Sequence, residues 1–202
     1  VNKKLVAALS GGAALVLALT GCGGDDDEGN KKAESWAERV CGDVQPQLKK
    51  MQEANASIKA AANEPDSKKL QQMDSQAFQQ LSDAYRALGT SLKDAGAPPV
   101  DGGEKTQTEA VKGLNAASRA FSDLKISVDK LDVKNKSKFA DGLHGVAAKL
   151  KKLSQTGNDA LKQLEDGEVG EALGKQKGCQ KPSGAASAPA VGDDKASEPA
   201  SL

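Results

Sequence analysis

Residues 110–131 read AVKGLNAASRAFSDLKISVDKL. Ala110, Leu114, Ala117, Phe121, Leu124, Val128 and Leu131 recur there at alternating steps of four and three. That spacing follows the turn of an α-helix and lays one apolar seam along it, which must be buried against other helices. Asp101 and Glu104 form a candidate capping pair at its start. Residues 132–137 after it are polar and few, which favours an antiparallel neighbour.

The same rhythm extends in both directions. Upstream, a helix from about Asp66 to Ala95 carries Leu70 and Met73, then Phe78, Leu81, Tyr85, Leu88, Leu92 and Ala95. Gly96 and Pro98-Pro99 stop it, so 96–103 reads as the clearest loop in the domain. Before that, Ser35 and Glu38 fit a capping box that opens a first helix. Its seam is Ala37, Cys41, Val44, Leu48, Met51, Asn55, Ile58 and Ala62, with Pro46 off the seam and 63–66 as the stop. Downstream, Phe139, Leu143, Val146, Leu150, Leu153, Gly157, Ala160 and Leu164 define a fourth helix. Thr156-Gly157-Asn158 resembles a break, yet the spacing keeps phase across it, so one continuous helix is expected. Ala172 and Leu173 mark a short terminal helix before Gly178-Cys179.

Four amphipathic helices of about 30 residues, each ~45 Å long, joined by short links, predict an all-α domain over residues 35–179. The expected architecture is an up-and-down antiparallel four-helix bundle with a short C-terminal helix. No repeat of 20–50 residues is evident. The flanks differ from this domain. Residues 23–32 hold no apolar side chain and residues 180–202 are Pro, Ala, Ser, Gly and charge without periodicity, so both are expected to be unstructured.

Residues 1–21 read as a leader. Lys3 and Lys4 precede an apolar run from Leu5 to Leu19 that is shorter than the ~20 residues of a membrane-spanning helix. Its exit, Leu19-Thr20-Gly21-Cys22, resembles the bacterial lipobox. The resemblance implies that Leu19, Thr20 and Gly21 are read by the lipoprotein signal peptidase. It also implies that the Cys22 thiol takes a diacylglyceryl group and that the mature chain starts at Cys22. Two or more acyl chains hold a protein on a membrane, at ~0.8 kcal/mol per buried methylene. The acidic residues Asp25–Glu28 lack the ligand spacing of a calcium loop, so 22–34 reads as a solvated tether.

Removing the leader takes two lysines away, leaving 26 basic against 28 acidic side chains and a net charge of −2. With aromatics at 2%, neither a basic footprint nor a stacking platform for nucleic acid exists. Cys41 and Cys179 remain as an even pair in an oxidising compartment. In an up-and-down bundle the first helix starts and the fourth ends at the same end. The two cysteines are therefore expected to meet and form a disulfide.

Sites for chemistry are few. The lone His144 follows Asp141 at the spacing used in di-iron bundles, but a second such motif is missing, so His144 reads as a surface residue and no metal or cofactor is expected. No nucleophile–base pair, phosphate loop or HExxH motif is present, so no catalytic residue is assigned. Trp36 is expected to cap the core end, with a partner anchor or a headgroup contact as the alternatives. Tyr85 reads as a core tyrosine whose hydroxyl finds a partner. Asn55 either fixes register or lines a polar cavity. Lys149, Lys151 and Lys152 are a solvated face, or a set that meets anionic lipid.

Taken together, the lipobox, the acidic tether, the segments Trp36–Cys41, Gly96–Val100 and Phe139–Leu143, and Gly178-Cys179 resemble the small secreted lipoproteins of actinobacteria. The resemblance spans nearly everything up to Cys179. It implies the extracytoplasmic face of the cell membrane and a helical fold, with no assigned activity and no site. The expected role is a non-enzymatic envelope component that binds an unidentified protein partner or serves as structure. The alternative is a ligand-binding or sensory bundle, with Asn55 and Gly157 at a cavity.

Overall fold

A computed structural model describes residues 24–165 and 167–180, and the side-chain surroundings of 28–153 and 169–180. The leader, Leu19, Thr20, Gly21, Cys22 and the segment 181–202 lie outside the described residues. Among the described residues, five helices follow one another: α1 (Gly24–Ala61), α2 (Ser67–Asp94), α3 (Gly103–Asp129), α4 (Lys136–Glu165) and α5 (Gly167–Lys175). No strand occurs among the described residues, and the chain is all-α.

The start of α1 lies further upstream than the sequence pattern predicts. Residues 24–34 were expected to be an unstructured tether, but the helix runs through them from Gly24. Ser35 is therefore an exposed mid-helix residue and not a cap. Acidic side chains in the first turns favour the positive end of the helix dipole. Lys32 also pairs with Glu28 one turn earlier at 3.1 Å, and Ala33 already belongs to the core at 5% exposure. Pro46 lies within the helix and is exposed, as its place off the seam required.

The buried face of α1 also differs in part from the predicted seam. Ala37, Cys41, Val44, Met51 and Ile58 hold their expected places, but Val40, Ala54 and Ala61 are buried as well, so the buried face is broader and turned from the expected seam. Leu48 and Asn55 are half-buried beside the seam, and Ala62 is exposed. Ala54 and Ala61 are almost fully buried. Alanine there lets α1 approach its neighbours closely, whereas the sequence spacing points to Asn55 and Ala62, one position on.

Around α2 and α3 the boundaries agree with the sequence, and the capping is partly new. Asp66 caps α2 by accepting a hydrogen bond from the Lys69 amide at 2.9 Å. Gly96 ends the α2 exit in the left-handed region at φ +76°. The Asp101–Glu104 capping pair does not form. Gly102, also left-handed, holds the N-cap of α3 without a side-chain bond. Asn135 caps α4 through the Lys138 amide, and α4 runs unbroken through Thr156-Gly157-Asn158 as expected.

The helices α2 and α3 form an antiparallel hairpin fixed by three polar contacts. Gln71 near the start of α2 donates to the Val128 and Leu131 carbonyls at the end of α3, at 2.8 and 3.0 Å. Gln107 near the start of α3 donates to the Leu92 carbonyl at the end of α2, at 2.8 Å. Gln107 thus supplies a partner for a carbonyl in the last turn of α2, and Gln71 adds a bond to the Val128 carbonyl, which also accepts from the Leu131 amide. Midway, the buried Ser82 hydroxyl donates to the Ser118 carbonyl at 2.9 Å.

Against this hairpin α1 packs on α2, and α4 packs on α3. The short α5 lies against both α1 and α4. The core has two parts. One gathers Ala54, Phe78, Leu81, Phe121, Leu124, Val128, Val146 and Leu150 from α1 to α4. The other gathers Ala33, Trp36, Ala37, Val40 and Leu92 with Val169 and Ala172 of α5.

Candidate functional site

The end of the molecule near the start of α1 holds most of its unusual chemistry. Trp36 is buried there at 3% exposure, and its indole N–H donates to the Gly96 carbonyl at 2.9 Å. That bond joins α1 to the α2–α3 loop and satisfies the polar edge of the ring. Trp36 thus caps the core end. Nearby, Cys41 and Cys179 form a disulfide with a Cα–Cα distance of 5.0 Å, as the placement of the two cysteines required. Gly178 lies so close to the Cys41 backbone that a Cβ there would come within 2.7 Å of the Cys41 carbonyl oxygen. Lys175 pairs with Glu34 at 3.1 Å and holds the end of α5 on α1.

A groove of about 480 Å³ opens between this part of α1 and the α2–α3 loop. One wall carries Glu28, Lys31, Lys32 and Arg39, and the other is apolar through Ala97 and Pro99. Trp36 also lines the groove. Glu28, Lys32, Ser35 and Arg39 step by four, three and four, so they form one stripe on the helix. Sequence reading had missed this stripe because it assigned residues 23–32 no structure. A helical reading of 28–39 would have found it.

Two buried polar atoms elsewhere have no hydrogen-bond partner: Gln47 Oε1 and Asp74 Oδ1. Burial pushes the Asp74 carboxyl up to about 6. At the end of α3, burial also pushes Asp129 up, but hydrogen bonds from Lys125 and Ser75 and the charge of Lys125 outweigh it, and Asp129 lies below its ordinary value. Burial pushes the Tyr85 hydroxyl up. Its ring stacks on Phe121 with centroids 5.3 Å apart. No hydrogen bond to the Tyr85 hydroxyl forms among the described residues, contrary to the sequence expectation.

The remaining candidates scatter. His144 and Asp141 are both exposed, and no group of three or more metal-ligating side chains occurs among the described residues. Lys149, Lys151 and Lys152 are exposed, and Lys149 donates to the Ser127 hydroxyl at 3.2 Å. Asn55 is half-buried and does not line the groove. Among the described residues the buried polar side chains are Asp74, Ser82 and Ser118 instead. Gly157 lies within α4, and its surroundings lie outside the described residues. Among the described residues, no helix is long and apolar enough to cross a membrane.

No family model, curated protein or solved structure matches this chain.

Proposed function

We propose that this chain is a lipoprotein held on the extracytoplasmic face of a cell membrane through lipid on Cys22. In this reading Leu19, Thr20 and Gly21 are the peptidase recognition residues, and the helical domain is an up-and-down four-helix bundle. The domain acts without enzymatic chemistry, as a structural or protein-binding part of the envelope. The observation that carries the location is the Cys41–Cys179 disulfide. Such bonds persist where the surroundings are oxidising, which is where a lipobox would deliver the chain. The antiparallel α2–α3 hairpin and the packing of α1 on α2 and of α4 on α3 support the bundle.

Intact-mass measurement on membrane-fraction protein tests the anchoring. The expected species starts at Cys22 and carries diacylglyceryl. A Cys22→Ala variant that still fractionates with membranes overturns it. Crosslinking on intact cells, followed by identification of the adduct, tests the protein-binding role.

The groove favours a second reading, ligand binding. Its volume of about 480 Å³ lies within the usual range of small-molecule sites. Among the described residues, Ile126 is the one large hydrophobic side chain that is exposed. A broad apolar docking stripe, which a protein-binding role would favour, is therefore not formed by them.

A further inference from the structure

We propose that the groove between α1 and the α2–α3 loop binds the phosphate of a single anionic phospholipid headgroup. This inference rests on the ligand-binding reading above and names its ligand class. Lys31, Lys32 and Arg39 place three cations on one wall against one carboxylate, Glu28. Lys32 is paired with Glu28. Lys31 and Arg39 make no ion pair among the described residues. A guanidinium beside ammonium groups is the side-chain chemistry that receives phosphate oxygens. The facing wall of Ala97 and Pro99 is apolar, and it suits the glycerol and upper acyl part of a lipid better than the hydration shell of a free ion.

Position supports the same ligand. Cys22 lies two residues before the start of α1. Lys31 is about 10 Å along the helix from that start. If Cys22 carries lipid, the groove opens beside the headgroup layer. The acidic residues Asp25–Asp27 precede it on the same helix. They oppose a flat anionic surface. A single headgroup inside the groove is nearest to Lys31, Lys32 and Arg39, which outnumber the Glu28 carboxylate there. The ligand is therefore one headgroup in a groove and not a membrane plane.

Trp36 is the chain's one tryptophan and lines the groove, so its emission reports occupancy. The full lipoprotein in non-ionic detergent is titrated with glycerophosphoglycerol, with glycerophosphocholine and with inorganic phosphate. The expected result is a saturable change in Trp36 emission with glycerophosphoglycerol and weaker binding of the other two. Lys31→Gln and Arg39→Gln each weaken that binding about fivefold. Glu28→Gln, which releases Lys32, tightens it, a change of sign that misfolding would not produce. Absence of a saturable change overturns the proposal, as does equal binding of the choline compound. Equal binding of inorganic phosphate overturns the lipid assignment. The readout does not depend on lipid at Cys22, so its failure is distinguishable from failure of the anchoring proposal, which is read by mass.

Discussion

The two parts of the core are built on different principles. The part shared by α1 to α4 uses large side chains: Phe78 and Phe121 lie 6.3 Å apart, and Tyr85 stacks on Phe121. The part near the start of α1 sets Ala33, Ala37 and Ala172 with Val40, Leu92 and Val169 around a single Trp36. A nine-residue helix closes its side. Small side chains supply little apolar area, at roughly 25 cal/mol per Å² buried, and so short a helix is marginal alone. There the chain adds a disulfide, an ion pair and an indole hydrogen bond. The difference teaches that one end of this molecule is held by packing and the other by bonds.

The comparison breaks most readily at Phe121. Phe121→Ala should destabilise the protein by about 3–5 kcal/mol, measured by urea unfolding of the oxidised protein. A loss below about 1 kcal/mol would mean that the large-residue core is not the main source of stability.

Paired Cys41→Ser and Cys179→Ser substitutions probe the other end. The cysteines are 138 residues apart, so the chain-entropy model gives ~4–5 kcal/mol, and roughly 2–4 kcal/mol is expected in practice. Amide exchange should rise first in α5 and in residues 33–41, while Phe78 and Phe121 stay protected. Uniform loss of protection would show that the two parts unfold as one.

Asp74 adds a pH dependence inside the packed hairpin. Its folded value, about 6, lies above the ordinary 3.8. The folded state therefore holds the proton more tightly. The contribution is fully present below about pH 4 and is lost as pH rises through about 6. Asp74→Asn should flatten stability between those pH values and raise it at pH 7 by about 1–3 kcal/mol. An unchanged pH profile in the variant would remove Asp74 as the cause.

The smallest effect is expected at the glutamines. Gln71→Ala or Gln107→Ala should cost about 1 kcal/mol each, since carbonyls at the helix ends can turn to water. Costs above about 3 kcal/mol would show that these contacts set the hairpin register and do more than finish its ends.

Long seams were legible in the sequence. The spacing of Phe121, Leu124 and Val128 located α3, and unbroken phase across Gly157 joined the halves of α4. What escaped was polar residues at seam positions. Asp74, Ser82 and Ser118 read as surface by composition. Their burial depends on neighbours that no local pattern encodes. The start of α1 escaped for the converse reason. A stretch without apolar side chains reads as solvent-borne, yet a Glu28–Lys32 pair and an adjoining core at Ala33 extend the helix through it. The groove was lost with it, because its cationic wall exists only if residues 28–39 are helical.

The Cys41–Cys179 bridge also sets how the molecule would carry tension. A pull applied between the N-terminal end of α1 and the chain beyond residue 180 runs along α1 to Cys41 and crosses to Cys179 through covalent bonds. Residues 42–178 form a closed ring off that line and bear no load. In the oxidised protein, traction between the two ends would stretch the first turns of α1 and leave the packed core of Phe78 and Phe121 mechanically shielded. With the bridge reduced, the same traction would be transmitted through every helix in turn.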